Sequence, residues 1–197
     1  MKRIVALLTW VALLVTAALT QTPTGALKPG PEHKRLSYFV GNWTYEGETK
    51  PGPFGPGGKF TGTETIEWFP GEFFLVSHSE EKGPLGASKG LSLMGYSTEE
   101  KAYTLYMINS LGTPAISVRG KLTGDTWTWT NEMKMGGKNY SGRFTIKEQS
   151  PTSYTVKLEV STDGGPFVVQ MEGKETRTNT IAGQRKHTYK NGVKCSG

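Results

Sequence analysis

The chain has 197 residues, a formal net charge of +6 at neutral pH and one cysteine. A single thiol excludes an internal disulfide, so the folded part must be stabilised by burial of a core. Six of the 23 basic residues lie in the first three or the last thirteen positions, which leaves 17 basic against 17 acidic residues elsewhere. A domain without net charge disfavours nucleic acid as a partner, because that partner requires clustered positive charge.

The N-terminal segment has the composition of a secretory signal. Two basic residues precede an almost unbroken apolar run from Ile4 to Leu19. The run is short for crossing a bilayer and carries its charge on one side only, which favours a signal peptide over residues 1–20 rather than a membrane anchor. We expect cleavage between Ala18 and Ala26, a disordered leader over residues 21–31, and a secreted or periplasmic protein without an integral membrane span.

The rest of the chain predicts one all-β domain over residues 32–179, followed by a basic flexible tail over residues 180–197. Leu36 and Phe39 recur at helical spacing before Gly41, which predicts a short helix. From Trp43 onward the apolar period is two, and turn residues separate about ten segments. We predict a closed antiparallel barrel of about 8–10 strands rather than a sandwich, since closure removes exposed strand edges. The predicted strands cover residues 42–49, 59–69, 73–81, 89–96, 102–109, 115–122, 126–134, 140–147, 154–161 and 167–177.

Several strands carry large apolar side chains that are candidates for the barrel interior. Trp127 and Trp129 alternate with threonines, so both indoles share one buried face. The strand from Ala102 to Asn109 is apolar on both faces, which predicts that both are covered. Barrels wider than about eight strands tend to keep internal space, so these side chains either line a pocket or fill a core. The candidate ligand contacts are Tyr103, Tyr106, Trp127, Trp129 and Met171.

The order of helix, Val40-Gly41-Asn42-Trp43 and a final strand ending at Arg177 resembles the lipocalin and calycin pattern. In that pattern the tryptophan packs across the barrel floor beneath an arginine of the last strand. The wider chain, from about His33 to Arg177, is similar to the lipocalin-like family called domain of unknown function 1579. The resemblance implies a barrel closed by Gly41, Trp43 and Arg177 and implies no particular activity. Its other matching segments are Pro70-Gly71-Glu72-Phe73, Gly95-Tyr96-Ser97 and Ser161-Thr162-Asp163-Gly164-Gly165-Pro166-Phe167.

These features favour a barrel that binds or carries a small apolar or amphipathic molecule, with no cofactor, no metal and no catalytic residue. The proline- and glycine-rich segment from Lys50 to Gly58 is expected to flank one mouth of the barrel. Gly86-Ala87-Ser88-Lys89-Gly90 matches the pattern of a hydrolase nucleophile. A strand rather than a helix is predicted to follow it, which disfavours a hydrolase.

Two alternatives stay open from the sequence. The first is a haem-binding or isomerase-like barrel enzyme, in which His78 is the candidate axial ligand. His78 shares strand parity with Phe74 and Val76, so this row is expected to face the interior. The second is a non-binding envelope or interaction protein whose barrel is filled by its own side chains.

Overall fold

A computed structural model describes residues 27–178. The predicted signal peptide, the leader up to residue 26 and the predicted basic tail lie outside the described residues. Within residues 27–178, no helix is long and apolar enough to cross a membrane.

The described chain forms one short helix and ten strands. The helix, α1, covers Pro31–Arg35 and continues into a 3₁₀ turn, Leu36–Phe39. Of the predicted strands, the one over 102–109 has the observed bounds, and the others differ at their ends by only a few residues. The strands are β1 Gly41–Thr49, β2 Gly58–Trp68, β3 Phe74–Gly83, β4 Gly86–Ser97, β5 Ala102–Asn109, β6 Ile116–Thr123, β7 Thr126–Met135, β8 Lys138–Ser150, β9 Ser153–Thr162 and β10 Val168–Arg177.

The ten strands form one closed barrel in chain order. Each strand pairs antiparallel with the next, and β1 pairs with β10 to complete the ring. This confirms the predicted closed antiparallel barrel with a short N-terminal helix. Because the strands alternate in direction, one end of the barrel carries the helix and the start of β1, and we call this end the base. The other end, the mouth, carries the loops at residues 50–57, 84–85 and 163–167.

Alternation along each strand separates an inner face from an outer face. Trp127 and Trp129 are both buried on the inner face, with their rings stacked 6.1 Å apart. The expectation that β5 is covered on both faces is wrong. Tyr106 and Ile108 are 43% and 41% exposed, because they lie on the outer wall while the helix packs at the base.

Candidate functional site

The base is closed by an arginine from the last strand and a tryptophan from the first. The guanidinium carbon of Arg177 lies 4.3 Å from the ring centre of Trp43. The same guanidinium donates hydrogen bonds to the carbonyls of Val40 and Tyr38, the latter at 2.7 Å. The indole N–H of Trp43 donates to the carbonyl of Phe39 at 2.7 Å. These hydrogen bonds connect the 3₁₀ turn to β1 and to β10, the first and last strands of the barrel.

Gly41 completes this closure. Its φ of +137° lies in a region that side-chain-bearing residues rarely adopt, and a Cβ there would collide with the Arg177 guanidinium. The structure therefore brings together all three predicted barrel-closing residues, Gly41, Trp43 and Arg177.

Above the closure, an aromatic layer fills the lower part of the barrel. The Phe39 ring lies 5.0 Å from that of Trp127 and 5.6 Å from that of Tyr154. Tyr103 packs edge-on against Trp127 at 4.7 Å, and the Trp127 indole donates to Glu148 at 2.7 Å. This layer, which we call the floor, separates the base from the space above it.

The predicted ligand contacts fall in three different places. Tyr103, Trp127 and Trp129 belong to the buried core around the floor and do not line the space above it. Tyr106 lies on the outer wall. Met171 does line the interior space, from β10.

Between the floor and the mouth lies a cavity of about 300 Å³. One side of it is apolar and is formed mainly by β5, β8 and β9. We call this side the apolar wall, and its side chains are Leu105, Met107, Phe144, Ile146 and Val156. Such a surface removes apolar groups of a ligand from water, at about 25 cal/mol per Å².

The opposite side is polar, and two glutamates dominate it. Glu64 on β2 lies opposite Trp43 of β1, and Glu175 on β10 lies opposite Tyr45 of β1. Both glutamates therefore flank β1, and their partners on that strand are two residues apart. Their side chains converge in front of β1 inside the barrel, and the two carboxyl groups hydrogen-bond to each other.

The environment of this carboxyl pair favours its protonated form. Burial raises the pKa of Glu64, against the hydrogen bonds from Ser77 and Glu175 that lower it. Burial, and then the neighbouring Glu64 charge, raise the pKa of Glu175 well above its usual range. The Tyr154 hydroxyl donates to Glu175 at 2.5 Å, and burial raises the pKa of that phenol. Both shifts have the same direction, so they favour a proton retained on the pair and shared between Glu64 and Glu175.

A third carboxyl group and a second phenol extend the polar wall toward the mouth. Burial raises the pKa of Glu81, although a hydrogen bond from Tyr45 partly opposes the shift. Burial, followed by the charges of Glu81 and Glu64, raises the pKa of the Tyr45 phenol. We call Glu64, Glu81 and Glu175 together the acidic wall.

The mouth is partly covered by an aromatic side chain and by a loop. The ring of Phe60 lies over Gly47, where any Cβ would collide with it, so a glycine on β1 makes room for this covering ring. Phe54 in the loop between β1 and β2 packs edge-on against Tyr140 of β8, 5.6 Å away. The structure thus places the predicted loop across the mouth.

The histidine predicted to face the interior does not do so. His78 is exposed, and its row with Phe74 and Val76 forms the outer face of β3, so that expectation is wrong. The inner row of this strand, Leu75-x-Ser77-x-Ser79-x-Glu81, is the more polar one because it builds the polar side of the cavity.

The other described histidine, His33, is buried against Phe73 and Tyr96 and accepts a hydrogen bond from the Gly30 amide at 3.1 Å. Residues 27–178 bring together no group of three or more His, Cys, Asp or Glu side chains that could hold a metal ion. The residues after Ser88 form a strand, as predicted, and strand β4 begins earlier than expected, at Gly86, so that Ser88 itself lies inside it.

The acidic wall was missed by sequence reasoning, although a signal was present. Glu64 shares strand parity with Phe60 and Ile66, two apolar residues that face inward, and Glu175 shares parity with Met171. A glutamate in register with an inward apolar row is a candidate buried carboxyl group.

The ring of strands, the closed base and the enclosed cavity define a lipocalin-like barrel. Residues 28–177 match the family model described as protein of unknown function (DUF1579), and the chain belongs to this family. This confirms the predicted family resemblance.

Solved structures of similar fold include Rv2717c from M. tuberculosis, which is 14% identical with a TM-score of 0.52 and covers 76% of this chain and 98% of its own. The S-type phycobiliprotein lyase CPES from Guillardia theta is 12% identical with a TM-score of 0.51, over 76% of this chain and 93% of its own. Identities this low show a shared fold alone. No curated protein sequence matches the chain.

Proposed function

We propose that this barrel binds a small, partly apolar molecule in its interior. The observation that carries the proposal is the cavity of about 300 Å³ between the aromatic floor and the mouth. Its volume is at the lower end of the range for small-molecule sites, and it combines apolar walls with a few convergent polar groups, as such sites do.

Different groups of residues would contribute to binding in different ways. Leu105, Met107 and Phe144 would contact the apolar part of the ligand, together with the predicted contact Met171. Tyr103, Trp127 and Trp129 would support the site from the floor, which keeps the cavity preformed and lowers the entropic cost of binding. Phe60 and the loop carrying Phe54 would have to move for the ligand to enter, which makes the mouth the expected route.

Filling the cavity is expected to abolish most of this binding. Ser92 lies on the inner face of β4, lines the cavity and is paired with Ser77 and Met107. In Ser92→Phe the new ring would occupy the ligand's space. Displacing even two buried methylene groups costs about 1.6 kcal/mol, so affinity for octanol, measured by calorimetry, should fall more than about tenfold.

A matched control uses the next residue. Leu93 points to the outer wall and is 37% exposed, so Leu93→Phe adds the same ring outside the barrel and should leave octanol affinity unchanged. Equal losses in both variants, or no octanol binding by the unmodified protein, would count against an interior site.

Extraction of protein purified from its own host, followed by mass spectrometry, should find a small molecule that the Ser92→Phe protein lacks. An empty extract supports the alternative of a non-binding barrel.

We also propose that the protein is exported, which rests on the basic start and apolar run of residues 1–20. Full-length protein made in a secreting bacterial host should be recovered outside the cytoplasm, with a mature N-terminus between Ala18 and Ala26. Deleting residues 2–19 should keep it in the cytoplasm. Recovery of the uncleaved chain in the membrane fraction would instead support an anchor.

A further inference from the structure

The charges that face the cavity are all of one sign. Glu64, Glu81 and Glu175 lie on β2, β3 and β10, which with β1 form one side of the barrel. No lysine, arginine or histidine among residues 27–178 lines the cavity. Within the described chain, the acidic wall therefore has no cationic partner inside the barrel.

Burying carboxyl groups without a cationic partner is costly, and a barrel selected only for stability would place apolar residues there. Glu64 and Glu175 reduce the cost by sharing a proton, and hydroxyl groups of Ser77 and Tyr154 donate to them. Both glutamates line the cavity, so a molecule that enters it lies next to the carboxyl pair. Groups held in such an unfavourable state in a cleft are candidates for a functional site.

The apolar wall faces the acidic wall across the same cavity. Leu105 and Met107 of β5 lie on the side of the ring opposite β1 and β10. A molecule that fills the space therefore meets carboxyl groups at one end and hydrocarbon at the other. The complementary molecule carries a cationic hydrogen-bond donor on a short apolar body.

An ammonium group suits the acidic wall in number of donors as well as in charge. It carries three N–H donors, and hydrogen bonds between ionised partners are about twice as strong as those between neutral ones. An alcohol of the same length keeps the apolar contacts but loses this gain. A carboxylate places a further negative charge beside Glu64 and Glu175, which disfavours it.

We propose that the cavity selects small primary amines with an apolar body over neutral and anionic molecules of the same length. This inference rests on the proposed function and names the class of ligand for the same site. Binding of the ammonium form transfers the shared proton of the carboxyl pair to the solvent, so that two carboxylates face the bound cation.

The test compares octylamine, octanol and octanoate by titration calorimetry at neutral pH. The unmodified protein should bind octylamine about tenfold more tightly than octanol, and octanoate most weakly. Repeating the octylamine titration in two buffers of different ionisation enthalpy should reveal release of a proton, and octanol should release none. In the double variant Glu64→Gln with Glu175→Gln, the preference for octylamine over octanol should disappear.

Glu67→Gln is the matched control, because Glu67 lies on β2 with an exposed side chain and does not line the cavity. It removes the same charge from the surface and should leave the preference for octylamine intact. Octanol binding without any preference for octylamine would overturn this inference and leave the proposed function standing. A loss of preference in Glu67→Gln equal to that in the double variant would also overturn it, since the attraction would then be a surface effect. Absence of binding by all three molecules would overturn both proposals.

Discussion

Replacing Trp43 by alanine is expected to lower the free energy of unfolding by about 3–5 kcal/mol. The Trp43 ring is only 1% exposed, lies under the Arg177 guanidinium and packs 4.8 Å from the Tyr154 ring. Truncation leaves a void between the base and the floor and deprives the Phe39 carbonyl of its donor. Urea unfolding at neutral pH, followed by circular dichroism, measures the loss.

Two further variants identify the origin of that loss. Trp43→Phe keeps an aromatic ring under Arg177 and removes the indole N–H, so it should cost about 1–3 kcal/mol. Trp68→Ala removes a partly buried tryptophan at the end of β2 and should cost less than Trp43→Ala. If Trp43→Ala and Trp68→Ala destabilise equally, closure of the base by Trp43 is not a special source of stability.

The architecture could be predicted because turn residues and apolar alternation mark nearly every strand. The segment from Ala102 to Asn109 is an example, since its predicted bounds are those observed. The closing contacts at Gly41, Trp43 and Arg177 came from resemblance to a family pattern. The physical need behind that pattern, two carbonyls that require donors at the end of a 3₁₀ turn, is visible only in the structure.

The candidate site was harder to predict because it departs from the alternation that identifies the fold. In β3 the row with Phe74 and Val76 is more apolar than the row with Ser77 and Ser79. The pattern alone therefore assigns the wrong row to the inner face of the barrel. The polar row faces inward because it forms part of a polar wall. Local rules of this kind tend to fail at functional sites, where stability is not the only requirement.

The aromatic residues illustrate a second limit of the sequence. Trp127 and Trp129 were correctly placed on one buried face, but parity along a strand does not give height along the barrel axis. Both belong to the buried core around the floor and do not line the cavity, although their β8 partners Ile146 and Phe144 do, whereas Met171 lines it. Only the stagger between neighbouring strands separates a floor residue from a lining residue.

The stability of the barrel is expected to fall as the pH rises from about 5 to 8, and Glu175→Gln should remove a large part of this fall. An unfolded glutamate loses its proton near pH 4.5, whereas burial and the Glu64 charge raise the pKa of Glu175 well above that in the folded protein. Between these two values the unfolded state binds fewer protons than the folded state. The free energy of unfolding then decreases by up to about 1.4 kcal/mol per pH unit for each proton.

Other titratable groups also make the free energy of unfolding depend on pH, in directions that follow from their pKa shifts. The raised pKa values of Glu64 and Glu81 add to the fall over the same window. Glu159 acts in the opposite direction, because its hydrogen bond from Arg143 lowers its pKa. Its contribution to stability no longer changes with pH above the unfolded pKa of 4.5. The slope above pH 5 therefore comes from the acidic wall.

Urea unfolding between about pH 5 and pH 8 tests this origin. Glutamine at position 175 can accept from the Tyr154 hydroxyl through its carbonyl and donate to Glu64 through its amide, so the fold should be preserved. Stability of Glu175→Gln should be close to that of the unmodified protein at the acidic end and higher at the alkaline end. Glu67→Gln, which changes an exposed side chain on β2 outside the cavity, should keep the original slope. Parallel slopes for Glu175→Gln, Glu64→Gln and the unmodified protein would show that the pair holds no extra proton in the folded state, and the proton release expected on amine binding would lose its source.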